Sequence, residues 1–207
     1  MATGAEINLG VWSAIVLAAG AGRRFGGRKL LAPFEGGLLI EGALRAALAS
    51  PAASIILVTG SEADEVAGVA RDLAERQGQG ARLQIVHAAD HAEGMGASLR
   101  AGAAALPADA AGVFVFLADM PKIPAAILPR LIEAVEAGAP AAAPLCDGRR
   151  GHPVLFAAEL FHLLRQATGD EGARAALRGL GAGLALIETD DEGVLFDVDR
   201  PGDLARA

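Results

Sequence analysis

Cysteine and the larger aromatics are nearly missing from this 207-residue chain, which has one Cys, no Tyr, one Trp and 7 Phe, 4% aromatic in all. A single thiol, Cys146, builds neither an intramolecular disulfide nor a thiolate zinc site, and it fits a reducing compartment. Beside Pro144 and Leu145 it reads as a small buried hydrophobe rather than a nucleophile. Positive charge is in deficit as well, 18 Lys and Arg against 25 Asp and Glu for a net −7. Without clustered cations or stacking aromatics the chain is no nucleic-acid platform, while a local basic pocket for a small polyanion is compatible with it. No apolar run reaches the roughly 20 residues of a membrane span; the nearest, Leu9 to Gly22, contains Ser13. Met1 to Asn8 carries Glu6 and no Lys or Arg where a signal peptide needs cations, so the expected compartment is the cytoplasm.

What is present is an apolar majority, 53% hydrophobic with 21% charged, far from the composition of disorder. The length suits one compact domain over residues 1–207. Short β-branched runs at Val11–Leu17, Ser54–Thr59, Leu83–His87, Gly112–Leu117, Ala139–Pro144, Val154–Phe156 and Leu184–Glu188 read as strands buried on both faces. Between them Glu41–Ala49, Ala63–Gln77, Ala97–Leu106, Ala125–Ala137, Ala157–Leu164 and Gly172–Leu180 read as helices. The alternation predicts an α/β fold: a single doubly wound, mostly parallel sheet with helices on both faces, and ligands at the carboxyl ends of its strands.

The most informative segment follows the first strand directly: Leu17-Ala18-Ala19-Gly20-Ala21-Gly22-Arg23-Arg24-Phe25-Gly26-Gly27-Arg28-Lys29. Glycines let backbone N–H groups approach phosphates, and Arg and Lys neutralise them, so the pattern points to a polyphosphate site. Two common phosphate motifs fail on register. A dinucleotide fingerprint from Gly20 and Gly22 needs glycine where Phe25 stands, which weakens a nicotinamide-dependent oxidoreductase reading; a Walker loop from Gly22 meets Arg28 where Lys is required.

Carboxylates come from two places. Asp119 follows the buried run Val113–Leu117 and suits magnesium, or else caps the turn ahead of Pro121. Asp197 and Asp199 alternate as on a strand and share one face; otherwise Asp199 caps a helix with Pro201 in its first turn and Asp203 on its surface. His152 reads as a packing or substrate-orienting residue rather than an acid or base. His87 and His91 straddle a strand end, not one helix face, which disfavours zinc. Asp170 and Arg174 stand i,i+4, either as a surface ion pair or with Arg174 free for an acceptor phosphate.

The glycine-rich turn resembles the signature of the nucleotidyltransferase superfamily, Leu-Ala-Ala-Gly-x-Gly-x-Arg followed by a bulky residue, Gly and a downstream Lys. Further segments, Gly94–Gly102, Leu117–Pro121, Gly151–Phe156, Gly169–Arg174 and the Asp197–Asp203 tail, narrow the resemblance to the MobA-like molybdenum cofactor cytidylyltransferases. That resemblance implies a Rossmann-like fold with a nucleotide-binding half over about 11–122 and an acceptor-binding half over about 123–207. It implies that Arg24 and Lys29 meet the triphosphate, with Arg23 and Arg28 as solvated neighbours. Leu17, Ala18, Ala19, Gly20 and Gly22 then line the nucleotide and Ser98 lies by its base and ribose. Asp119 and Asp199, with Asp197 second, hold Mg2+ or alternatively Mn2+; Arg24, Lys29 and Asp119 are the catalytic set. His152, Asp170 and Arg174 fall on the acceptor side. The implied reaction moves CMP from CTP to molybdopterin or molybdenum cofactor with release of pyrophosphate, Ala19 favouring CTP over GTP. Alternatives are GTP, another phosphorylated acceptor such as a sugar phosphate or isoprenoid precursor, or an escort protein serving an apo molybdenum hydroxylase. Two departures from the pattern are Phe25 in place of Met and Arg200 in place of Thr.

Overall fold

A computed structural model describes residues 11–206, so the segment read as lacking a cationic leader lies outside the described residues. The elements run β1 (Val11–Ala18), β2 (Pro33–Phe34), β3 (Gly37–Leu38), α1 (Leu39–Ala49), β4 (Ser54–Thr59), α2 (Ala63–Arg76), β5 (Leu83–His87), α3 (Met95–Ala104), β6 (Ala110–Leu117) and α4 (Ile127–Glu136). They continue through β7 (Ala141–Cys146), β8 (Arg149–Arg150), β9 (Val154–Ala157), α5 (Phe161–Leu164), α6 (Arg174–Arg178) and β10 (Leu184–Glu188).

One sheet takes strands from both halves of the chain in the order β10-β7-β9-β6-β1-β4-β5, with β8 attached to β7. Successive side chains of a strand point to opposite faces, and β1 shows the result. Trp12, Ala14, Val16 and Ala18 join α1, α2 and α4 in one core, while Ile15 and Leu17 join Leu99 and Ala103 of α3, Phe161 of α5 and Leu177 of α6 in the other. The helices therefore cover both faces, as the doubly wound reading requires. β1 pairs in parallel with β4 and β6, β4 with β5, and β7 with β10. The carboxyl ends of β1, β4 and β6 thus open on the same edge.

The antiparallel members are the two-residue β8 on β7 and, within the sheet, β9, wedged between β6 and β7. The link from Cys146 to Val154 is too short for a helical crossover, so the chain can only double back. Asp147 and Gly148 carry φ of 49° and 69° at the tip of the β7–β8 hairpin, and Glu35 and Gly36 carry 44° and 79° between β2 and β3, two tight turns with both central residues left-handed. Neither small hairpin emerges from apolar periodicity, because two-residue strands have none. The strand expected at Ala139–Pro144 begins and ends two residues later, at Ala141–Cys146. The expected helix at Ala157–Leu164 loses Ala157 to β9 and its first turn to 3-10 geometry, and that at Gly172–Leu180 shortens to Arg174–Arg178. β5 and β10 stand at the sheet edges and are only partly buried, not buried on both faces. Cys146 is buried, and desolvation followed by the charges of Asp147 and Glu192 raises its thiol above the ordinary range.

Candidate active site

The loop after β1 curls around a single acceptor. The Gly22 carbonyl accepts N–H groups of Phe25, Gly26 and Gly27 at 2.9, 3.1 and 3.2 Å. Gly22 itself has φ 56°, and a Cβ there would stand 2.9 Å from the Cβ of Lys29, so glycine lets the lysine pass beneath the loop. Arg28 is drawn the other way. Its N–H donates to Glu62 Oε1 and its Nη1 to Glu65 Oε1, both at 2.9 Å, tying the loop to the start of α2. Arg28 is thus a tether as well as an exposed neighbour of the cleft, and with it turned outward the next residue, Lys29, points in and is only 12% exposed.

Lys29 meets two carboxylates. Its Nζ donates to Asp119 Oδ2 at 2.7 Å and lies 3.7 Å from Asp199 Oδ1, while Arg24 Nη1 donates to Asp199 Oδ2 at 3.2 Å. The C-terminal tail is brought here by backbone pairing: the Val198 N–H donates to the Asp119 carbonyl at 3.0 Å. Asp199 does not cap the following turn. Asp203 does, accepting the N–H groups of Asp199 at 3.0 Å and Arg200 at 2.7 Å, and the segment Pro201–Arg206 is a 3-10 helix. The reversed cap leaves the Asp199 carboxylate free to face Arg24 and Lys29. Partial desolvation, then the negative charges of Asp199 and Asp119, raise the Asp197 carboxyl above its usual range.

These groups border a cleft of about 710 Å³ at the carboxyl ends of β1 and β6. Its lining includes Leu17, Ala18, Ala19, Gly20, Gly22, Arg24, Lys29, Ser98, Asp119, Asp170, Arg174, Asp197 and Asp199, every expected site residue except His152. His152 sits apart from that lining. Its imidazole is pushed down to about 4 by burial, Nδ1 is buried with no hydrogen-bond partner among the described residues, and its peptide N–H donates to the Val194 carbonyl at 2.9 Å. Asp170 and Arg174 make no ion pair with each other; Glu171 pairs instead with Arg178, Nη1 to Oε1 at 2.7 Å. The ion-pair alternative for Arg174 is thereby excluded.

A profile of the MobA-like NTP transferase domain matches residues 14–186. The chain belongs to that family. Over 193 residues this MobA-like domain is 33% identical to nicotine blue oxidoreductase of Paenarthrobacter nicotinovorans, covering 89% of this chain and 90% of that protein. It is 28% identical to molybdenum cofactor cytidylyltransferase of Escherichia coli K12, covering 93% of each. The solved structure of Rv0371c from Mycobacterium tuberculosis superposes with a TM-score of 0.79 at 25% identity over 95% of this chain and 97% of that one, and its complex with manganese with 0.76.

The carboxylates of the MobA-like cleft suit a divalent ion of the hard, oxygen-loving kind. Asp119 and Asp199 already share one cation, the Lys29 ammonium, so their oxygens converge on a common point. Among the described residues no three His, Cys, Asp or Glu side chains close around such a point. Two carboxylates with open positions fit an ion that completes its shell with phosphate and water. Arg23, His91, Glu93 and Met95 also line the cleft, beyond the expected set. Arg23 is exposed as well as lining the cleft. The last three follow β5 directly, and the rule that ligands gather beyond carboxyl ends of parallel strands would have found them.

Proposed function

We propose that this domain transfers CMP from CTP to the terminal phosphate of molybdopterin or molybdenum cofactor and releases pyrophosphate. The observation that carries the reading is the meeting of Arg24 and Lys29 with Asp119 and Asp199 in one cleft, from three separate stretches of chain. An oxygen of the acceptor phosphate attacks the α-phosphorus in line. The new P–O bond forms as the bond to the bridging oxygen of the β-phosphate breaks, and its electron pair leaves with pyrophosphate. An ionised phosphate needs no general base, in keeping with a half-buried His152 whose proton affinity is lowered and which stands outside the cleft lining.

Catalysis then rests on position and charge. Lys29 and Arg24 neutralise the triphosphate and the departing pyrophosphate, while the backbone of Leu17 to Gly22 and the Ser98 hydroxyl border the nucleoside. Asp119 and Asp199, with Asp197 beside them, would hold Mg2+ or Mn2+, which when bound adds positive charge at the phosphates. Arg174, with no ion-pair partner among the described residues, and Asp170 lie on the acceptor side. Ala19, in the position that separates cytidylyl from guanylyl enzymes by resemblance, favours CTP. The nucleotide and acceptor halves act as one domain, a view supported by the sheet that runs through both. The proposed compartment is the cytoplasm; among the described residues no helix is long and apolar enough to cross a membrane.

The test is pyrophosphate release with magnesium and purified molybdenum cofactor, offering CTP and GTP separately. Release with CTP alone is expected. Release with GTP alone overturns the base assignment. Silence with both, in protein that binds CTP by calorimetry, transfers the weight to another phosphorylated acceptor or to an escort serving an apo molybdenum hydroxylase. An escort has no need for converging Asp119 and Asp199, which favours the transferase reading.

A further inference from the structure

Two walls of the cleft are carried by segments with no strand of their own. One is the 3-10 turn His91–Glu93 with Gly94 at the head of α3; the other is the 3-10 turn Gly169–Glu171 leading into α6. They touch backbone to backbone. A Cβ on Gly96 would stand 2.5 Å from the Thr168 carbonyl carbon, and one on Gly94 would stand 2.7 Å from that of Gly169. Arg100 of α3 spans the same seam without lining the cleft. Its Nη2 pairs with the Asp90 carboxylate and lies 3.4 Å from Glu93 Oε2, while Nη1 donates to the Ala167 carbonyl at 2.8 Å.

We propose that Arg100 is a positioning residue that locks the wall at His91–Met95 to the wall carrying Asp170 and Arg174. The nucleotide on the first wall and the acceptor on the second rest on the function proposed above. The residue type suits the task. A planar guanidinium presents donors in two fixed directions, one toward the carboxylates and one toward the carbonyl, whereas a lysine ammonium is a single point of charge. The first wall runs into α3, which packs on β1 and β4, whereas the second stands on the 3-10 turn Gly169–Glu171 and the five-residue α6, so the tie to Arg100 bears on where the second wall stands against the first.

The test is Arg100→Met in the full chain, followed by hydrogen–deuterium exchange without ligand. Exchange is expected to quicken in residues 91–98 and 167–174 together and to stay unchanged in β1, β4 and β6, with Arg100→Lys recovering part of the protection. Arg165→Met is the control, since Arg165 ties α5 to the far end of α3 through the Ala103 carbonyl at 3.2 Å. Unchanged exchange, or quickening in one wall alone, overturns the proposal. Affinity for CTP with magnesium, read by calorimetry, is expected to fall about tenfold in Arg100→Met, the scale of a lost charge-assisted tie; an unaltered affinity also overturns it. If the unsubstituted protein binds neither CTP nor GTP, the nucleotide reading fails, and the exchange result still decides on the lock.

Discussion

Lys29 stands between the charges of Asp119 and Asp199, the second of which Arg24 also opposes, and that placement sets its value. In the cleft it neutralises carboxylates; under the proposed function its charge would turn to the phosphates once nucleotide and a divalent ion are bound. Lys29→Ala is expected to lower the rate of pyrophosphate release by about 10²–10³-fold, with the circular dichroism spectrum retained; near-normal turnover would remove Lys29 from the machinery. His152 makes a different contribution, to stability. The unfolded chain takes up the imidazole proton near the ordinary value of 6.5, but the folded chain only near about 4. Between those values the unfolded state binds more protons, so stability present above about pH 6.5 is lost progressively on acidification to about pH 4, on the order of 3 kcal/mol. Urea midpoints across that window are expected to fall with pH, and His152→Leu is expected to flatten the slope.

At the scale of elements, the position of Asp119 depends on how closely α1 approaches the end of β6. Gly42 sets that distance: a Cβ there would stand 2.4 Å from the Pro121 carbonyl oxygen and 2.6 Å from its Cα. Helix propensity alone makes Gly42→Ala stabilising by about 1 kcal/mol. Overpacking against backbone that cannot rotate away costs about 1–3 kcal/mol and is expected to win, lowering the urea midpoint and displacing the Asp119–Pro121 turn. A raised midpoint would mean that α1 is free to shift. The tail illustrates the same dependence on neighbouring elements. Read alone, Asp199 followed by Pro201 looks like a helix cap, yet Asp203 takes the two N–H groups and releases Asp199 to the cleft.

For the whole molecule, a net charge of −7 and a polyanionic substrate are reconciled by local arrangement. Arg23, Arg24, Lys29 and Arg174 face one cleft, and the carboxylates among them call for a divalent ion. Removal of divalent ions with EDTA is therefore expected to abolish pyrophosphate release, with Mg2+ or Mn2+ restoring it. Full activity in EDTA would dismiss the roles proposed for Asp119 and Asp199. Asp119→Asn is expected to resemble chelation, with no rescue by added ion.

The local features were legible in the order of residues. Gly22, Arg24 and Lys29 lie within one loop, so their candidacy for a phosphate site is readable from the segment itself, and the alternation of apolar strands with helices specifies a doubly wound sheet because each period is written into ten or so consecutive residues. Only the tertiary structure decided which charges meet. Lys29 and Asp119 are 90 residues apart and Arg24 and Asp199 are 175 apart, and nothing local encodes either contact. The first follows from β6 pairing beside β1, the second from the tail returning along the Asp119 backbone. Arg28 and His152 show the converse: a cation in the right loop is turned away by Glu62 and Glu65, and a histidine in a promising segment stands outside the cleft lining. Side-chain direction at such positions is set by the register and partners that packing supplies, and a linear pattern carries neither.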